Sequence, residues 1–364
     1  MKHSKPDYIL LFSIGALVIL GLFILSSASL IISKENFGNP YHYLQRQIIF
    51  GLGIGIPGFI IAYRINYKFW KKISFPLLLF SLLLLIMVFI PKLGLEYGGA
   101  KRWLNLGPMS FQPSEFLKLS FIIYLASWLA GKKDRMFNLK SGLIPFLFII
   151  SLISILIIAE PDIGTLALIV LLGLTIYFVS GVKLSHIAAV SVLGIGAFYG
   201  LVKIAPYRLA RILIFLNPNF DTQGIGYQIN QAFLAIASGG LFGLGYGGSR
   251  QKFNFLPEPA TDSIFAVVAE EIGFLGVIII TSLFVLFFSR GFKISLRAQD
   301  KFGALLGLGI TLWIIFQAFI NIGAISGLLP LTGITLPFIS YGSSSLAMTL
   351  VGAGMLLNIS KHSA

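Results

Sequence analysis

Long apolar runs separated by short polar stretches dominate this 364-residue chain. Many runs approach the roughly 20 residues that cross the hydrocarbon of a bilayer as a helix. The runs are continuous and do not alternate with polar residues, so they favour helices over the strands of a membrane barrel. The pattern predicts about ten membrane spans: 8–32, 44–63, 73–91, 113–130, 142–159, 163–181, 184–205, 264–289, 302–327 and 339–360.

The composition agrees with an all-α polytopic membrane protein, because 57% of the residues are hydrophobic and 11% are charged. The absence of cysteine excludes disulfides, thiol nucleophiles and cysteine metal sites, and four scattered histidines offer no ligand cluster. The first apolar run is too long for a cleavable signal and predicts a retained helix. We expect a single domain over residues 1–364, with one large loop, 206–263, between the seventh and eighth spans.

Basic residues concentrate on one side of the predicted spans. With the N-terminus inside, more than half of the 27 Lys and Arg residues fall on the inner side, where Asp7, Asp134 and Asp300 oppose them. These basic residues are Lys2, Lys5, Arg64, Lys68, Lys71, Lys72, Lys132, Lys133, Arg135, Lys140, Lys183, Arg290, Lys293, Arg297, Lys301 and Lys361. This positive-inside pattern predicts that both termini are cytoplasmic. The net charge of +14 is therefore a topology signal and does not favour nucleic-acid binding.

The loop 206–263 is too long to be a simple turn. Within it, Gln228, Gln231 and Ser238 would share one stripe of a helix and apolar residues another, which predicts a short interfacial helix. A glycine-dense run follows from Ser238 to Gln251. Its exposed amides suit a pyrophosphate, but the run also fits a flexible re-entrant turn, and both interpretations remain open.

Four of the thirteen acidic residues lie in the segment NFLPEPATDSIFAVVAEE, at the edge of an apolar run. They are Glu258, Asp262, Glu270 and Glu271. Carboxylates at or below a membrane boundary are costly unless they have a partner or a function, so this segment is the first place to look for a site. The structural alternative for Asp262 is the N-cap of the eighth span.

Two other outer segments are unusually polar. Residues Gly98 to Lys118 place Glu115 and Lys118 three apart at the start of the fourth span, where they share a helix face and can pair. Glu160 and Asp162 lie in the tight connection AEPDIG, and helix capping is the structural alternative for Asp162.

Five motifs carry a resemblance that runs in order through nearly the whole chain. They are Lys101-Arg102-Trp103, FQPSEFLK, EPDIGT, NFLPEPATDSIFAVVAEEIGFLG and GITLPFISYGSSS. Together they resemble the shape, elongation, division and sporulation (SEDS) family of bacterial peptidoglycan glycosyltransferases. The chain looks most similar to the cell-division branch, and the elongation and sporulation branches are close alternatives. It departs from the family pattern at Ala260, where histidine is common, and at Ser343, where a second glycine is common.

The resemblance implies a ten-helix polymerase that joins lipid II units on the outer face of the bacterial cytoplasmic membrane. It also implies a class B penicillin-binding protein as the crosslinking partner, with other division or elongation membrane proteins. The essential aspartate of the family matches Asp262 here. The two departures would remove a proton or ligand partner near Asp262 and alter the turn of the last loop.

Glycan extension requires an acceptor hydroxyl to lose a proton while a lipid pyrophosphate leaves, so a base and several cations are needed. We expect Asp262 to be the base, and we place Glu270 above Glu271 because a helix would turn Glu270 to the face of Asp262. Supporting groups would be Glu258, Glu270, Glu115 and Lys118. The pyrophosphate would meet Lys101, Arg102, Arg250 and Lys252, with Lys118 also a candidate and Arg46, Arg208 and Arg211 as weaker ones.

The sequence establishes no cofactor. A divalent cation such as magnesium or manganese could be held by Asp262 together with the substrate phosphates, because such ions often take only one or two protein carboxylates. Two other classes of function fit the sequence: a transporter that flips the lipid-linked precursor, and an inactive scaffold for the crosslinking enzyme. The polar clusters crowd one face and not the midplane, which favours catalysis.

Overall fold

The computed structural model describes residues 5–97, 99–131, 138–204, 206–217, 221–224 and 226–362. Four of the basic residues used to predict the orientation, Lys2, Lys132, Lys133 and Arg135, lie outside the described residues, as does Asp134. The side chain of Arg208 also lies outside them.

Helices account for nearly all of the regular structure. In chain order they are α1 (Tyr8–Ala28), α2 (Leu30–Phe37), α3 (His42–Arg46), α4 (Gly53–Arg64), α5 (Tyr67–Lys72), α6 (Ser74–Met87), α7 (Pro113–Leu129), α8 (Ile144–Ala159), α9 (Ile163–Val179), α10 (Leu184–Ile204), α11 (Pro206–Leu216), α12 (Tyr227–Gly239), α13 (Ile264–Leu296), α14 (Lys301–Ile325) and α15 (Ser343–Lys361). Short π-helical segments, Gln47–Leu52 and Leu139–Leu143, continue α3 into α4 and lead into α8.

Each of the ten predicted spans overlaps at least one of these helices. Within the described ranges, seven helical segments are long and apolar enough to cross a membrane, and α6 and α9 are shorter apolar helices. The remaining span coincides with α7. The chain is therefore an integral membrane protein with an all-α membrane region, as the hydrophobic pattern predicted. The short helix predicted in the large loop is present as α12, and its interfacial position stays a prediction.

Helix α13 runs beyond its predicted end and is interrupted at Gly273, whose φ is 71° and ψ is −166°. A regular helix would pair the amides of Phe274 and Leu275 with the carbonyls of Glu270 and Glu271. Here Leu244 and Gly245 of the glycine-rich run donate to those carbonyls, at 2.9 and 3.0 Å. The two freed amides donate in turn to Gly240 and Leu241, at 2.9 and 3.2 Å.

The interruption thus joins the glycine-rich run to α13 without leaving those backbone groups unpaired. A side chain at Gly273 would collide with the backbone nitrogen of Gly243, so the junction requires glycine at this position.

A small antiparallel sheet lies between α6 and α7. Its strands are β1 (Gly94–Tyr97), β2 (Ala100–Asn105) and β3 (Ser110–Phe111), in the order β1-β2-β3. Leu95 pairs with Trp103, and Leu104 pairs with Phe111. The hydrophobic pattern did not predict these strands. The sheet fixes where Arg102 and Trp103 lie relative to the helices.

Polar side chains gather at the two ends of the helical bundle. One end carries Asp262 and the loops before α13 and α15, and we call it the Asp262 end. The opposite end joins both terminal helices, because Arg290 donates to the Asp7 carboxylate at 2.6 Å and the Asp7 amide donates to Ser360 at 3.2 Å. At that end Tyr67 also donates to Asp300, at 2.6 Å. Helices α14 and α15, the most buried of the long helices, run between the two ends.

Candidate active site around Asp262

Asp262 lies in the loop directly before α13, on the wall of a narrow cleft. Ser263, and not Asp262, occupies the N-cap position of α13. The Asp262 side chain is half-buried, and the cleft around it is lined by residues from four different parts of the chain. These are Arg211, Gln228, Asn321, Ala324, Ile325, Leu331, Thr332, Gly333 and Ile334. The N-cap interpretation of Asp262 is therefore wrong, and its carboxyl group faces the cleft.

The pKa of the Asp262 carboxyl group is raised to about 7, mainly by burial and in part by the nearby Glu258 carboxylate, while Arg211 opposes the shift. Asp162 and Arg102 act on the same carboxyl group with smaller, opposite effects. A carboxyl group with a pKa near neutrality can both take up and release a proton under ordinary conditions, which suits a general base.

Two loops are joined behind Asp262. The Asn321 amide group on α14 donates to the backbone carbonyls of Asp262 and Ile334, at 2.8 and 2.7 Å. Tyr341 donates its backbone N–H to the carbonyl of Ala260 at 2.8 Å, and the Ser340 hydroxyl donates to the carbonyl of Thr261 at 2.6 Å. These bonds tie the loop that carries Asp262 to the loop that precedes α15.

The two departures from the family pattern lie at these joined loops: Ala260 is in the loop that carries Asp262, and Ser343 is the first residue of α15, directly after the other loop. Ala260 is 4% exposed, so its methyl group is part of the packed core and supplies no proton partner to Asp262. The Ser343 hydroxyl donates to the carbonyl of Arg46 at 3.2 Å, a bond that a glycine would lack.

Arg102 reaches from the sheet to the connection between α8 and α9. Its guanidinium donates to the carbonyl of Glu160 at 3.1 Å and to the carbonyl of Pro161. Asp162 caps α9 by accepting from the Thr165 amide at 3.2 Å, so the predicted cap is confirmed. Burial raises the pKa of the Glu160 carboxyl group to about 9, with a further contribution from Asp162. Glu160 is therefore neutral at pH 7, and Arg102 brings one positive charge toward Asp262.

The other predicted pyrophosphate ligands lie in different surroundings. Lys101 is exposed on β2, 3.8 Å from Glu96. Arg250 is also exposed. Lys252 is buried, and its ammonium group donates to Glu271 and to Ser27 of α1, each at 2.7 Å. In this conformation the charge of Lys252 is already balanced. Arg211, ranked among the weaker candidates by sequence, is the cation that lines the Asp262 cleft.

Glu270 does not share a face with Asp262, contrary to the prediction. Because α13 begins after Asp262, the helical spacing between the two residues does not apply. Glu270 instead accepts from the Ser249 hydroxyl at 2.5 Å and from the Arg250 amide at 2.9 Å. Together with the backbone pairing at Gly273, this occupies amides of the glycine-rich run, for which binding a pyrophosphate was one of the two interpretations left open by the sequence. In the structure these amides fasten the run to α13.

The predicted pairing of Glu115 with Lys118 is confirmed, with 2.7 Å between the Lys118 ammonium and a Glu115 oxygen. Both side chains are buried. Lys118 also donates to the Gln317 side-chain oxygen at 2.8 Å, and Gln317 donates to the carbonyl of Thr335 at 3.0 Å. The pair is thus connected to the loop that precedes α15, the same loop that Asn321 holds.

Sequence reasoning overlooked Gln317 and Asn321. They lie four residues apart in the predicted ninth span, and Trp313 lies four residues earlier on the same helix face. The Trp313 ring N–H donates to Gln317 at 2.9 Å. Polar residues at helical spacing inside an apolar span were the available signal, because a membrane interior tolerates them only with partners or a function.

We expect Asn321→Ala to lower the activity that the sequence resemblance implies by a larger factor than its loss of stability alone would cause. The variant leaves the carbonyls of Asp262 and Ile334 without their donor, which costs about 1–3 kcal/mol per unpaired buried group, and it frees the Asp262 backbone to move. The measurement is thermal unfolding in detergent together with the turnover number and KM. The matched control is Thr311→Val on the same helix, whose hydroxyl bonds only to Gly307.

A fall in turnover for Asn321→Ala that is no larger than for Thr311→Val would contradict this role. So would full recovery of turnover when the stability of the variant is restored by other means.

The chain resembles known proteins over nearly its whole length. The sequence model described as "Cell cycle protein", for the FtsW, RodA and SpoVE proteins, matches residues 8–364. The chain belongs to this family. Among the relatives in this family, Stage V sporulation protein E of Bacillus subtilis (strain 168) is 40% identical over 362 residues, covering 100% of this chain and 99% of the relative. The "Probable peptidoglycan glycosyltransferase FtsW" of Coxiella burnetii (strain RSA 493 / Nine Mile phase I) is 41% identical over 347 residues, covering 94% and 93%.

Solved structures of the family share the fold. A chain from a peptidoglycan synthase complex, studied for the coordination of polymerization and crosslinking, superposes with a TM-score of 0.79 at 30% identity, covering 98% of both chains. The rod shape determining protein RodA of Thermus thermophilus superposes with a TM-score of 0.71 at 28% identity, covering 98% of this chain and 97% of RodA. The resemblance found in the sequence motifs is confirmed at the level of the family.

Proposed function

We propose that this FtsW/RodA/SpoVE family protein is a peptidoglycan glycosyltransferase that polymerises lipid II into glycan strands. The observation that carries the proposal is the Asp262 carboxyl group, whose pKa of about 7 and position in a cleft with Arg211 suit a general base beside an anionic leaving group. Relatives over nearly the full length are named as peptidoglycan glycosyltransferases, which supports the same activity here.

In the proposed reaction the Asp262 carboxylate takes the proton of the acceptor sugar hydroxyl. The hydroxyl oxygen then forms a bond to the anomeric carbon of the donor, and the bond from that carbon to the pyrophosphate oxygen breaks. Negative charge grows on the departing pyrophosphate as this happens. Arg211 lines the cleft and Arg102 acts electrostatically on Asp262, so both are placed to offset that charge.

An apolar cleft beside Asp262 supports a lipid-linked substrate. It has a volume of about 190 Å³ and shares Arg211, Gln228 and Leu331 with the Asp262 cleft. Ile214, Phe233 and neighbouring apolar residues form its other walls. We infer that the lipid chain of a substrate lies along these apolar walls, so that its pyrophosphate falls at Arg211.

The four predicted pyrophosphate cations have three different roles in this proposal. Arg102 acts at the reacting centre, and exposed Lys101 and Arg250 attract phosphates from the rim of the site. Lys252 holds the glycine-rich run through its pair with Glu271 and contacts no phosphate unless that pair opens. Glu258 tunes Asp262, while Glu270 and the Glu115–Lys118 pair support the loops around it.

A divalent cation would be held at Asp262 together with substrate phosphates. The described part of the chain contains no group of three or more His, Asp or Glu side chains that could hold a metal ion by themselves. An ion such as magnesium that accepts one or two carboxylates fits this donor set, and it would supply positive charge to the leaving pyrophosphate.

We propose that the Asp262 end faces the outside of the cytoplasmic membrane of a bacterium. The support is the concentration of Lys and Arg at the opposite end, which also carries the N- and C-terminal helices. A class B penicillin-binding protein would crosslink the strands, and other division or elongation membrane proteins would join the assembly. The structural similarity to a chain of a peptidoglycan synthase complex supports a partner of this kind.

We propose septal wall synthesis in cell division as the biological role, because several relatives of this length are named FtsW. The sporulation relative has comparable identity, and RodA has the same fold. The sporulation and elongation roles are therefore the alternatives within the same chemistry.

The rate of polymerisation should rise with pH through about 7 and level off above it. Asp262 acts as a base in its ionised form, so protonation below its pKa of about 7 removes activity. Glu258→Gln removes a repelling negative charge and should move the midpoint to lower pH, whereas Arg211→Gln removes a positive charge and should move it to higher pH. The measurement is kcat/KM for lipid II polymerisation between pH 5 and 9, a range chosen to bracket that pKa.

Glu96→Gln serves as the control, because Glu96 is exposed on β1 and is paired with Lys101. A midpoint near the ordinary aspartate value of roughly 4, or one that neither Glu258→Gln nor Arg211→Gln moves, would contradict Asp262 as the base.

A further inference from the structure

A second cleft lies at the end of the bundle opposite Asp262, where no part of the proposed reaction takes place. It has a volume of about 640 Å³ and opens between α5, the last turn of α7 and the start of α14. Lys68, Lys71, Lys72 and Lys301 line it, and Asp300 is the acidic residue among the described residues of its lining. Ser127, Ala130 and Phe302 complete the lining.

The charges in this cleft are unevenly matched. Lys68 lies 3.6 Å from the Asp300 carboxylate, which also accepts from the Tyr67 hydroxyl. Lys301 donates to the carbonyl of Ser180 at 3.2 Å. Lys71 and Lys72 form no ion pair with any carboxylate among the described residues. The cleft therefore carries an excess of positive charge that a bound anion would balance.

Two contacts place Lys71 beside the cleft. The Lys71 ammonium group lies over the Phe302 ring, 6.0 Å from its centroid, at the outer limit of cation–π contact. The backbone carbonyl of Lys71 accepts from the Ser74 hydroxyl at 2.9 Å, which fixes the junction of α5 with α6. Lys71 lines the cleft and is exposed, so its ammonium group is accessible to an anion there.

The surroundings favour a lipid over a soluble anion. Phe69 and Phe75 flank the lysines in the segment KFWKKISF and are 44% and 56% exposed. Next to the cleft, the outward face of α6 exposes Leu79, Phe80 and Leu83. Aromatic residues interleaved with lysines at the end of a membrane helix are typical of the lipid headgroup region, and basic pockets between helices bind anionic headgroups.

We propose that this cleft binds the phosphodiester group of an anionic phospholipid, with Lys71 and Lys72 contacting the phosphate and the acyl chains lying along α6. The ligand class is a lipid with one net negative charge, such as a phosphatidylglycerol. A lipid bound there would contact α5, the end of α7 and the start of α14, and would hold these helices together at the end of the bundle opposite the candidate active site.

The test is retention of lipid by the purified full chain, measured by native mass spectrometry. The probes are dioleoyl phosphatidylglycerol and dioleoyl phosphatidylcholine at equal concentration. We expect the native chain to retain the anionic lipid selectively, and Lys71→Gln with Lys72→Gln to weaken this retention by about thirtyfold, since each lysine contributes roughly equally to the attraction. Lys293→Gln with Arg297→Gln is the matched control, because both residues are exposed near the end of α13 and outside the cleft.

The single variant Lys72→Gln tests whether lost retention is due to misfolding, because Lys72 is exposed and its replacement should leave the fold intact. We expect this variant to elute from size-exclusion chromatography as the native protein does and to weaken lipid retention by about fivefold. Equal losses in the cleft variant and the control variant would overturn the proposal, and so would equal retention of the two lipids. Displacement of the lipid by inorganic phosphate at the same concentration would assign the cleft to a free anion. Displacement by a hexaglutamate peptide would assign it to an acidic protein segment, and either result would overturn the lipid assignment.

Discussion

Asp262→Asn should lower lipid II polymerisation by about 10²–10⁴-fold, the usual contribution of a general base. The amide has nearly the same size as the carboxyl group but cannot accept the proton of the acceptor hydroxyl. The contacts that fix the loop, from Asn321 to the Asp262 carbonyl and from Tyr341 to the Ala260 carbonyl, use backbone atoms and are unaffected. We therefore expect the loss of turnover to occur without loss of folding, measured by glycan formation and thermal unfolding on the same preparation.

Asp221→Asn is the matched control for this substitution. Asp221 is also half-buried and lies in the same large loop, where its carboxylate accepts from the Gly224 amide at 2.9 Å. If Asp221→Asn reduced synthesis as much as Asp262→Asn, the loss would reflect a general disturbance of the loop. Full activity of Asp262→Asn would exclude Asp262 as the base.

Lys118→Met should destabilise the folded protein by about 3–5 kcal/mol, the usual cost of breaking a buried ion pair from one side. The substitution leaves Glu115 and the Gln317 oxygen without the ammonium group that both contact, at 2.7 and 2.8 Å. Because Gln317 also donates to the carbonyl of Thr335, we expect the loop that precedes α15 to loosen as well. Thermal unfolding in detergent measures the first effect, and proteolysis of that loop measures the second.

The double variant Glu115→Gln with Lys118→Met distinguishes the contribution of the ion pair to stability from the contribution of side-chain packing. Removing both charges should recover most of the lost stability, because neither side then leaves a buried charge uncompensated. Stability of Lys118→Met equal to that of the native chain would contradict the network. A double variant less stable than the single one would show that the charge of Glu115 is needed for another reason.

The membrane helices could be predicted from the sequence because their signal is local. A run such as Tyr8–Ala28 is apolar at nearly every position, and the surrounding lipid demands an internally paired backbone. The sheet from Gly94 to Phe111 was missed for the opposite reason. Its strands have four, six and two residues, and they form by pairing with one another and not by burying a long apolar face.

The roles of individual site residues were harder to predict, because they depend on contacts between distant parts of the chain. Asp262 stood out by its position at the edge of an apolar run. Arg211 was ranked low since nothing near it in sequence indicates that α11 folds against the Asp262 cleft. Lys252 was expected to meet a phosphate, yet its partners come from α1 and α13.

The predicted orientation of Glu270 was wrong because the prediction assumed helical spacing from Asp262, which lies before the start of α13. The sequence places Asp262 and Glu270 eight residues apart, which would align them only if both were helical. The conformation of Gly273 shows a related limit. A glycine in an apolar run is ordinary in a membrane helix, so the sequence does not show that Gly273 interrupts α13. The interruption occurs because the glycine-rich run packs against Gly273.

Polymerisation of labelled lipid II by the purified native chain, with and without a class B penicillin-binding protein, tests the central claim most directly. We expect glycan strands longer than the dimer from the native chain and none from Asp262→Asn prepared in the same way. A parallel assay follows movement of labelled lipid II across vesicle membranes that contain the chain. Transbilayer movement without any glycan product, in the presence of the partner and divalent cations, would contradict the polymerase account and identify a transporter.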